Sequence, residues 1–188
     1  MTGGKKLGRR AFLSASTLSA ISFCTGSALA APAVGGKAAA SSARTLSFVN
    51  VNTGESGRIR YWEQGNYIPE ALAEIDKALR DRRTGEVHAI SPDLVDLVVR
   101  LGSRLQTSAP VHVISAYRSP QSNSQMAAAS RGVARLSYHC RGMAIDVRVP
   151  GRTLSQLRSA ALQLAGGGVG SYPRSDFIHL DVGPVRRW

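Results

Sequence analysis

The segment Ala144-Ile-Asp-Val-Arg-Val149 constrains this chain more than any other stretch. It alternates, so Ile145, Val147 and Val149 share one face while Asp146 falls on the other, as in a half-buried strand. A carboxylate in such a strand is costly to desolvate unless a cation or a metal stands beside it. Seven positions upstream lies His139, joined to the strand through Gly142, a residue that permits a tight backbone path. A second short β-like run, Phe177 to Val182, carries His179, with Asp176 three residues earlier. Two histidines and one aspartate (His139, Asp146, His179), with a separate acid close by, match a catalytic zinc site with an open position for water. Asp176 then reads as the general base, a carboxylate near the metal but not ligating it. Simple strand alternation would put Asp176 opposite His179, so this role requires a bend between them.

The pattern Ser137-x-His139-x-x-Gly142-x-Ala144-x-Asp146 followed by Asp176-x-x-His179 resembles the M15 family of zinc peptidases, the D-Ala-D-Ala peptidase group, and within it the periplasmic murein endopeptidases. The likeness runs from about Arg44 to Trp188 and includes Asn52-Thr-Gly-Glu55, Tyr61-Trp62, Leu79-Arg-Asp81, Ser115-Ala-Tyr-Arg-Ser-Pro120 and Gly167-Gly-Val-Gly170. The resemblance implies a hedgehog/DD-peptidase-like fold with one Zn2+ per chain, and peptidoglycan stem peptides as the substrate. It also implies that Arg118 steadies a substrate carboxylate or the developing oxyanion, against the plainer reading of a structural salt bridge. Tyr117, in the same segment, falls with Ser137 and Asp181 among residues expected to bind substrate or support the ligands. Ser137 would hydrogen-bond a ligand or the substrate, and Asp181 would orient an imidazole or pair with an arginine. Cross-link cleavage is the expected reaction. A D,D-carboxypeptidase or dipeptidase of the same family, or a non-catalytic zinc-containing wall-binding module, are the rivals.

The N-terminal residues read as an export signal. Gly8-Arg-Arg-Ala-Phe-Leu13 is a twin-arginine pattern ahead of a moderately apolar, Ser-rich stretch, and Ala28-Leu-Ala30 supplies a small-residue cleavage site. A membrane anchor would need roughly 20 strongly apolar residues, which this stretch lacks. Bulky Phe23 before Cys24 argues against a lipoprotein. Residues 1–30 are therefore expected to be a signal peptide, 31–43 a disordered spacer and 44–188 the metallopeptidase domain, working in the periplasm without a stable membrane anchor. Cleavage after Ala30 leaves Cys140 as the single cysteine, so the domain relies on its core rather than on a disulfide. Cys140 itself reads as packing, since neighbours on an extended chain point to opposite sides. The formal net charge is +12; Lys5, Lys6, Arg9 and Arg10 precede residue 31, and subtracting those four leaves +8 on the remainder. Such a surface suits anionic partners, a carboxylate- and phosphate-bearing wall among them. No helix-turn-helix, zinc-finger or RNA-recognition pattern is present, so nucleic acid is not an expected partner. Oligomeric state leaves no trace in the sequence.

Along the domain, 46–51 and 58–62 predict a hairpin around a Gly-bearing turn. Helices are expected over 69–81, from Ser91 (capping hydroxyl, then Pro92 and Asp93), over 120–130 and over 154–165. Strands are expected at 111–115, 144–149 and 177–182. Gly167 to Gly170 reads as a flexible turn lining the cleft, because the Lys-Ser/Thr ending of a phosphate loop is missing. With no regular strand–helix repeat, the fold class is α+β, a small antiparallel sheet carrying the site with flanking helices. His88 and His112 carry no motif and read as surface or satisfied core groups.

Overall fold

The hairpin is present: β1 (Arg44–Asn50) and β2 (Ser56–Glu63) run antiparallel, and Asn50 N donates to Glu55 O at 2.7 Å to close the turn. This computed structural model describes residues 43–129, 134 and 136–188; the expected signal peptide, the spacer up to residue 42, and Ser130 at the end of the expected 120–130 helix lie outside the described residues. A two-residue β3 (Asn66–Tyr67) pairs with β2, and α1 (Pro69–Ala78) follows. α1 stops short of Asp81, whose carboxylate is used elsewhere. α2 (Pro92–Arg104) starts at the expected proline with Asp93 in its first turn, but the Ser91 hydroxyl makes no capping bond. Its backbone N–H donates instead to Gly142 O at 2.9 Å, which ties the helix start to the segment after His139.

The remaining elements are β4 (Val111–Ser115), α3 (Pro120–Ala129), a 3-10 turn over Tyr138–Arg141, β5 (Ala144–Arg148), α4 (Leu154–Leu164), β6 (Gly168–Tyr172), β7 (Phe177–Asp181) and β8 (Arg186–Arg187). The class is α+β as read, but the sheet is neither small nor purely antiparallel. It has eight strands in the order β3-β2-β1-β4-β5-β7-β6-β8, with β1–β4 and β6–β8 parallel. The β1–β4 pair is parallel because α1 and α2 form a crossover that returns the chain in its original direction. The glycine run is a second correction. α4 ends with Ala165 itself in the left-handed region (φ 48°), and Gly168 to Gly170 continue into a buried strand rather than a flexible turn.

One core holds these layers together. Phe48, Val113, Ile145, Val147, Ile178 and Leu180 from the sheet pack with Ile75 of α1, with Leu94, Leu97, Val98 and Leu101 of α2, and with Leu157 of α4. β1, β2, β4, β5 and β7 give alternate residues to that core. The residues between them (Asp146 on β5, His179 and Asp181 on β7) are thereby sent to the opposite face. The β5–β7 register sets Asp146 directly across from His179 and Ala144 across from Asp181.

Candidate metal centre

Three side chains that are far apart in the chain meet on that face. His139 Nε2 lies 3.2 Å from His179 Nδ1 and 3.3 Å from Asp146 Oδ1, and His179 Nδ1 lies 3.0 Å from Asp146 Oδ1. Metal–ligand bonds of about 2.0–2.1 Å in a tetrahedron imply ligand–ligand edges of about 3.3 Å, so the spacing suits one ion. The donor chemistry agrees. His139 Nδ1 donates to Ala116 O at 2.6 Å and His179 Nε2 to Asp181 Oδ2 at 2.9 Å. Those bonds commit one proton on each ring and leave His139 Nε2 and His179 Nδ1 as lone pairs, turned toward a carboxylate oxygen. Three such acceptors face one another only around a cation or a shared proton. His139, Asp146 and His179 are all buried and are the group among the described residues able to hold a metal.

Without an ion, electrostatics within the trio follow the same logic. Burial pushes the Asp146 carboxyl up, but His139 and His179 outweigh it and hold it well below the usual carboxylate range. Burial pulls the His179 imidazole down, whereas hydrogen bonds to Asp146 and Asp181 lift it, for a net rise. Arg118 is buried beside them, with Nη2 3.9 Å from Asp146 Oδ2; it donates to Asn123 Oδ1 at 3.3 Å and to Ser115 Oγ at 3.4 Å. Burial lowers its pKa, yet a guanidinium keeps its proton across the accessible pH range. Its backbone N–H donates to His139 O at 3.2 Å, so the β4–α3 loop and the histidine turn brace each other.

The turn that carries His139 is built locally. Ser137 caps it, its hydroxyl accepting from His139 N at 3.3 Å, so Ser137 supports the backbone of His139. Gly142 closes it at φ 62°, where an added Cβ would lie 2.0 Å from Ala89 O. Cys140 is half-buried and outside the cluster of His139, Asp146 and His179, and the chain there is a 3-10 turn rather than the expected extended segment. The Asp181 carboxylate accepts from His179 Nε2 and from Arg186 Nη1 and Nη2, the last two at 2.9 and 2.7 Å. Burial would raise the Asp181 carboxyl, and those partners with Gly183 N and Gly168 N hold it well below the usual range.

Tyr117 is not brought to the site. Presenting Arg118 to the cleft turns its neighbour away. The Tyr117 hydroxyl donates to Glu86 Oε1 at 2.5 Å and its ring stacks on exposed His88 at 4.7 Å. Asp176 is not part of the cluster: its side chain is 70% exposed, and Oδ2 is 3.9 Å from Arg148 Nη1. The bend its role required exists, since Asp176 adopts φ 52° after the 3-10 turn Pro173–Ser175. It meets Arg148, which shares a strand face with Asp146. His112 is half-buried on β4 opposite Arg148.

The cluster of His139, Asp146 and His179 opens onto a cleft of about 410 Å³ whose walls include Tyr138, Tyr172, Phe177, Arg186 and Trp188. Reading the sequence singled out none of these five. The available signal was Gly168-x-Gly170: two glycines on one face of a strand mark a close approach by something bulky. A Cβ on Gly168 would lie 2.4 Å from Asp181 Oδ2 and one on Gly170 2.5 Å from the Trp188 ring. A neighbouring cavity of about 530 Å³ shares Leu136, Ser137 and Tyr138 with the cleft.

Comparison with known proteins places this site in context. A peptidase M15 family model described as peptidoglycan L,D-endopeptidase MepK matches residues 38–188. The peptidoglycan L,D-endopeptidase MepK of Escherichia coli K12 is 45% identical over 145 residues, 77% of this chain and 80% of that protein, and the Shigella flexneri protein of the same name gives the same figures. The probable peptidoglycan L,D-endopeptidase MepK of Haemophilus influenzae is 42% identical over 146 residues, 77% of this chain and 78% of its own.

Proposed function

Since the chain belongs to the M15 peptidase family described as peptidoglycan L,D-endopeptidase MepK, we propose that it is an exported zinc endopeptidase that opens L,D peptide cross-links in peptidoglycan. The observation that carries the metal part is the three-atom cluster of His139 Nε2, Asp146 Oδ1 and His179 Nδ1, with contacts of 3.0 to 3.3 Å. Mixed imidazole–carboxylate ligation suits zinc. Zinc held there would supply Lewis acidity to a water molecule and to the scissile carbonyl.

The chain's own residues supply the rest. Arg118 fixes a positive charge at the floor of the cleft, where the carbonyl oxygen gains negative charge, and costs no reorganisation because its loop is already braced. Asp176 takes the proton from the attacking water and returns it to the leaving amine. Asp146 and Asp181 are committed to the cluster, which leaves Asp176, 70% exposed with Oδ2 3.9 Å from Arg148 Nη1, as the remaining acid between β5 and the end of β7 for this task. Tyr138, Tyr172 and Phe177 wall the cleft against solvent and offer flat faces to the stem peptide. The adjoining cavity gives the substrate room on a second side of Tyr138, as cleavage within a cross-link demands. In this reading residues 44–188 are the catalytic domain, of hedgehog/DD-peptidase-like fold, and residues 1–30 direct twin-arginine export to the periplasm. A net +8 on the exported part favours a polyanionic wall.

Digestion of purified muropeptides, with chelator and with zinc added back, tests this by mass spectrometry. Expected is zinc-dependent loss of cross-linked dimers without shortening of the stems. Shortened stems would indicate a carboxypeptidase instead, and unchanged dimers with zinc bound would indicate a wall-binding module.

A further inference from the structure

The segment after β7 reaches back over the metal-facing histidines. Arg186 of β8 bonds both carboxylate oxygens of Asp181, at 2.9 and 2.7 Å, and Asp181 in turn holds His179 Nε2 at 2.9 Å. The same guanidinium lies 5.1 Å from the ring centroid of Tyr138, the neighbour of His139, and 5.1 Å from that of Trp188. Trp188 packs its ring against His179 at 5.3 Å and donates from Nε1 to Tyr172 Oη at 3.0 Å. One side chain therefore touches both histidine-bearing elements: the 138–141 turn through Tyr138, and β7 through Asp181. The rest of the fold makes room for it. A Cβ on Gly168 would lie 2.6 Å from Arg186 Nη1, and one on Gly183 2.5 Å from the Tyr138 ring.

We infer that Arg186 is a positioning residue for the metal: it fixes the Asp181 carboxylate, which fixes the tautomer and ring angle of His179, so that Nδ1 is the atom presented to the ion. A planar fork suits this task because it engages both oxygens at once, whereas an ammonium is a point charge that meets one. Without Arg186, Gly168 N and Gly183 N still hold Oδ1 of Asp181 at 3.1 and 2.9 Å, but Oδ2 loses the donor that fixes it against His179 Nε2, and the share of rings with Nδ1 ready for the metal falls. The inference rests on the metal reading above and deepens it.

The test compares wild type with Arg186→Met and Arg186→Lys in zinc affinity, measured against a chromophoric chelator, and in the visible spectrum of the cobalt(II)-substituted protein. Partners that orient metal ligands typically contribute about 10–100-fold in affinity. Arg186→Met is expected to weaken zinc binding by about tenfold and to shift or broaden the cobalt bands, with Arg186→Lys intermediate. At saturating zinc, hydrolysis recovers in part. Zinc affinity and cobalt spectra equal to wild type in both variants would overturn the inference while leaving the metal reading standing. A wild-type chain that binds neither ion would overturn both. Should Arg186→Met fail to fold, Arg186→Lys decides the question alone, because it keeps the charge and loses only the fork.

Discussion

Replacing Asp81 by asparagine probes how the fold holds Arg118 beside the metal centre. Asp81 is buried, 2% exposed, just past α1; Oδ2 accepts from Ser119 N at 2.7 Å and Oδ1 from Arg83 N at 2.8 Å. Burial would push this carboxyl up, but hydrogen bonds from the Ser119–Ser122 segment and from Arg83 outweigh it and hold it well below the usual carboxylate range. Asparagine turns one oxygen into a donor aimed at a backbone N–H. Hydrogen bonds to a charged group contribute about 1.5–3 kcal/mol each, so losing one and stranding its donor should cost about 2–4 kcal/mol. For a urea m-value of about 2 kcal/mol/M, the midpoint falls by roughly 1–2 M. The difference from wild type should shrink in acid. The folded carboxyl is depressed, so its contribution is complete above the unfolded value near 4 and fades as pH falls toward the folded one. Turnover should drop roughly ten- to hundred-fold, because the Arg118 loop loses its anchor. Zinc affinity should persist, since Tyr117 N still donates to Leu79 O and Arg118 N to His139 O. A wild-type urea midpoint with wild-type turnover would refute the reasoning.

Three other variants separate the roles. His139→Ala should abolish stoichiometric zinc binding and hydrolysis together while leaving the far-ultraviolet circular dichroism of the folded chain intact; full zinc occupancy in this variant would remove His139 from the ligand set. Asp176→Ala should keep its zinc and lose about 10²–10⁴-fold in turnover, and unchanged hydrolysis would remove Asp176 from the mechanism. Gly142→Ala meets a left-handed backbone penalty of about 1–2 kcal/mol plus the 2.0 Å approach to Ala89 O, so at least about 3 kcal/mol of stability should be lost in thermal or urea unfolding.

The meeting of His139, Asp146 and His179 was legible because their chemistry is compressed into short segments. An acid on a strand and a histidine one glycine-linked turn away need no tertiary knowledge to be paired. The strands were legible where alternation was strong, as in 144–148. The parallel pairs were not, since β1 meets β4 across about 60 residues of intervening chain and β8 is a two-residue strand with no alternation to read. Gly167 to Gly170 was misread because glycine signals both loops and crowding, and what crowds β6, Asp181, Arg186 and Trp188, lies ten or more residues further along the chain. Tyr117 was grouped with Arg118 because they are neighbours in the chain, but the fold commits the Tyr117 hydroxyl to Glu86. Which nitrogen of each imidazole faces the metal depends on Ala116 O and Asp181 Oδ2, partners fixed only by the fold.

The most direct test of the central claim is a zinc-edge anomalous difference map from crystals of the zinc-loaded protein. The account predicts one ion per chain, within about 2.0–2.2 Å of His139 Nε2, Asp146 Oδ1 and His179 Nδ1. A peak elsewhere, or one coordinated by fewer than these three atoms, would contradict it.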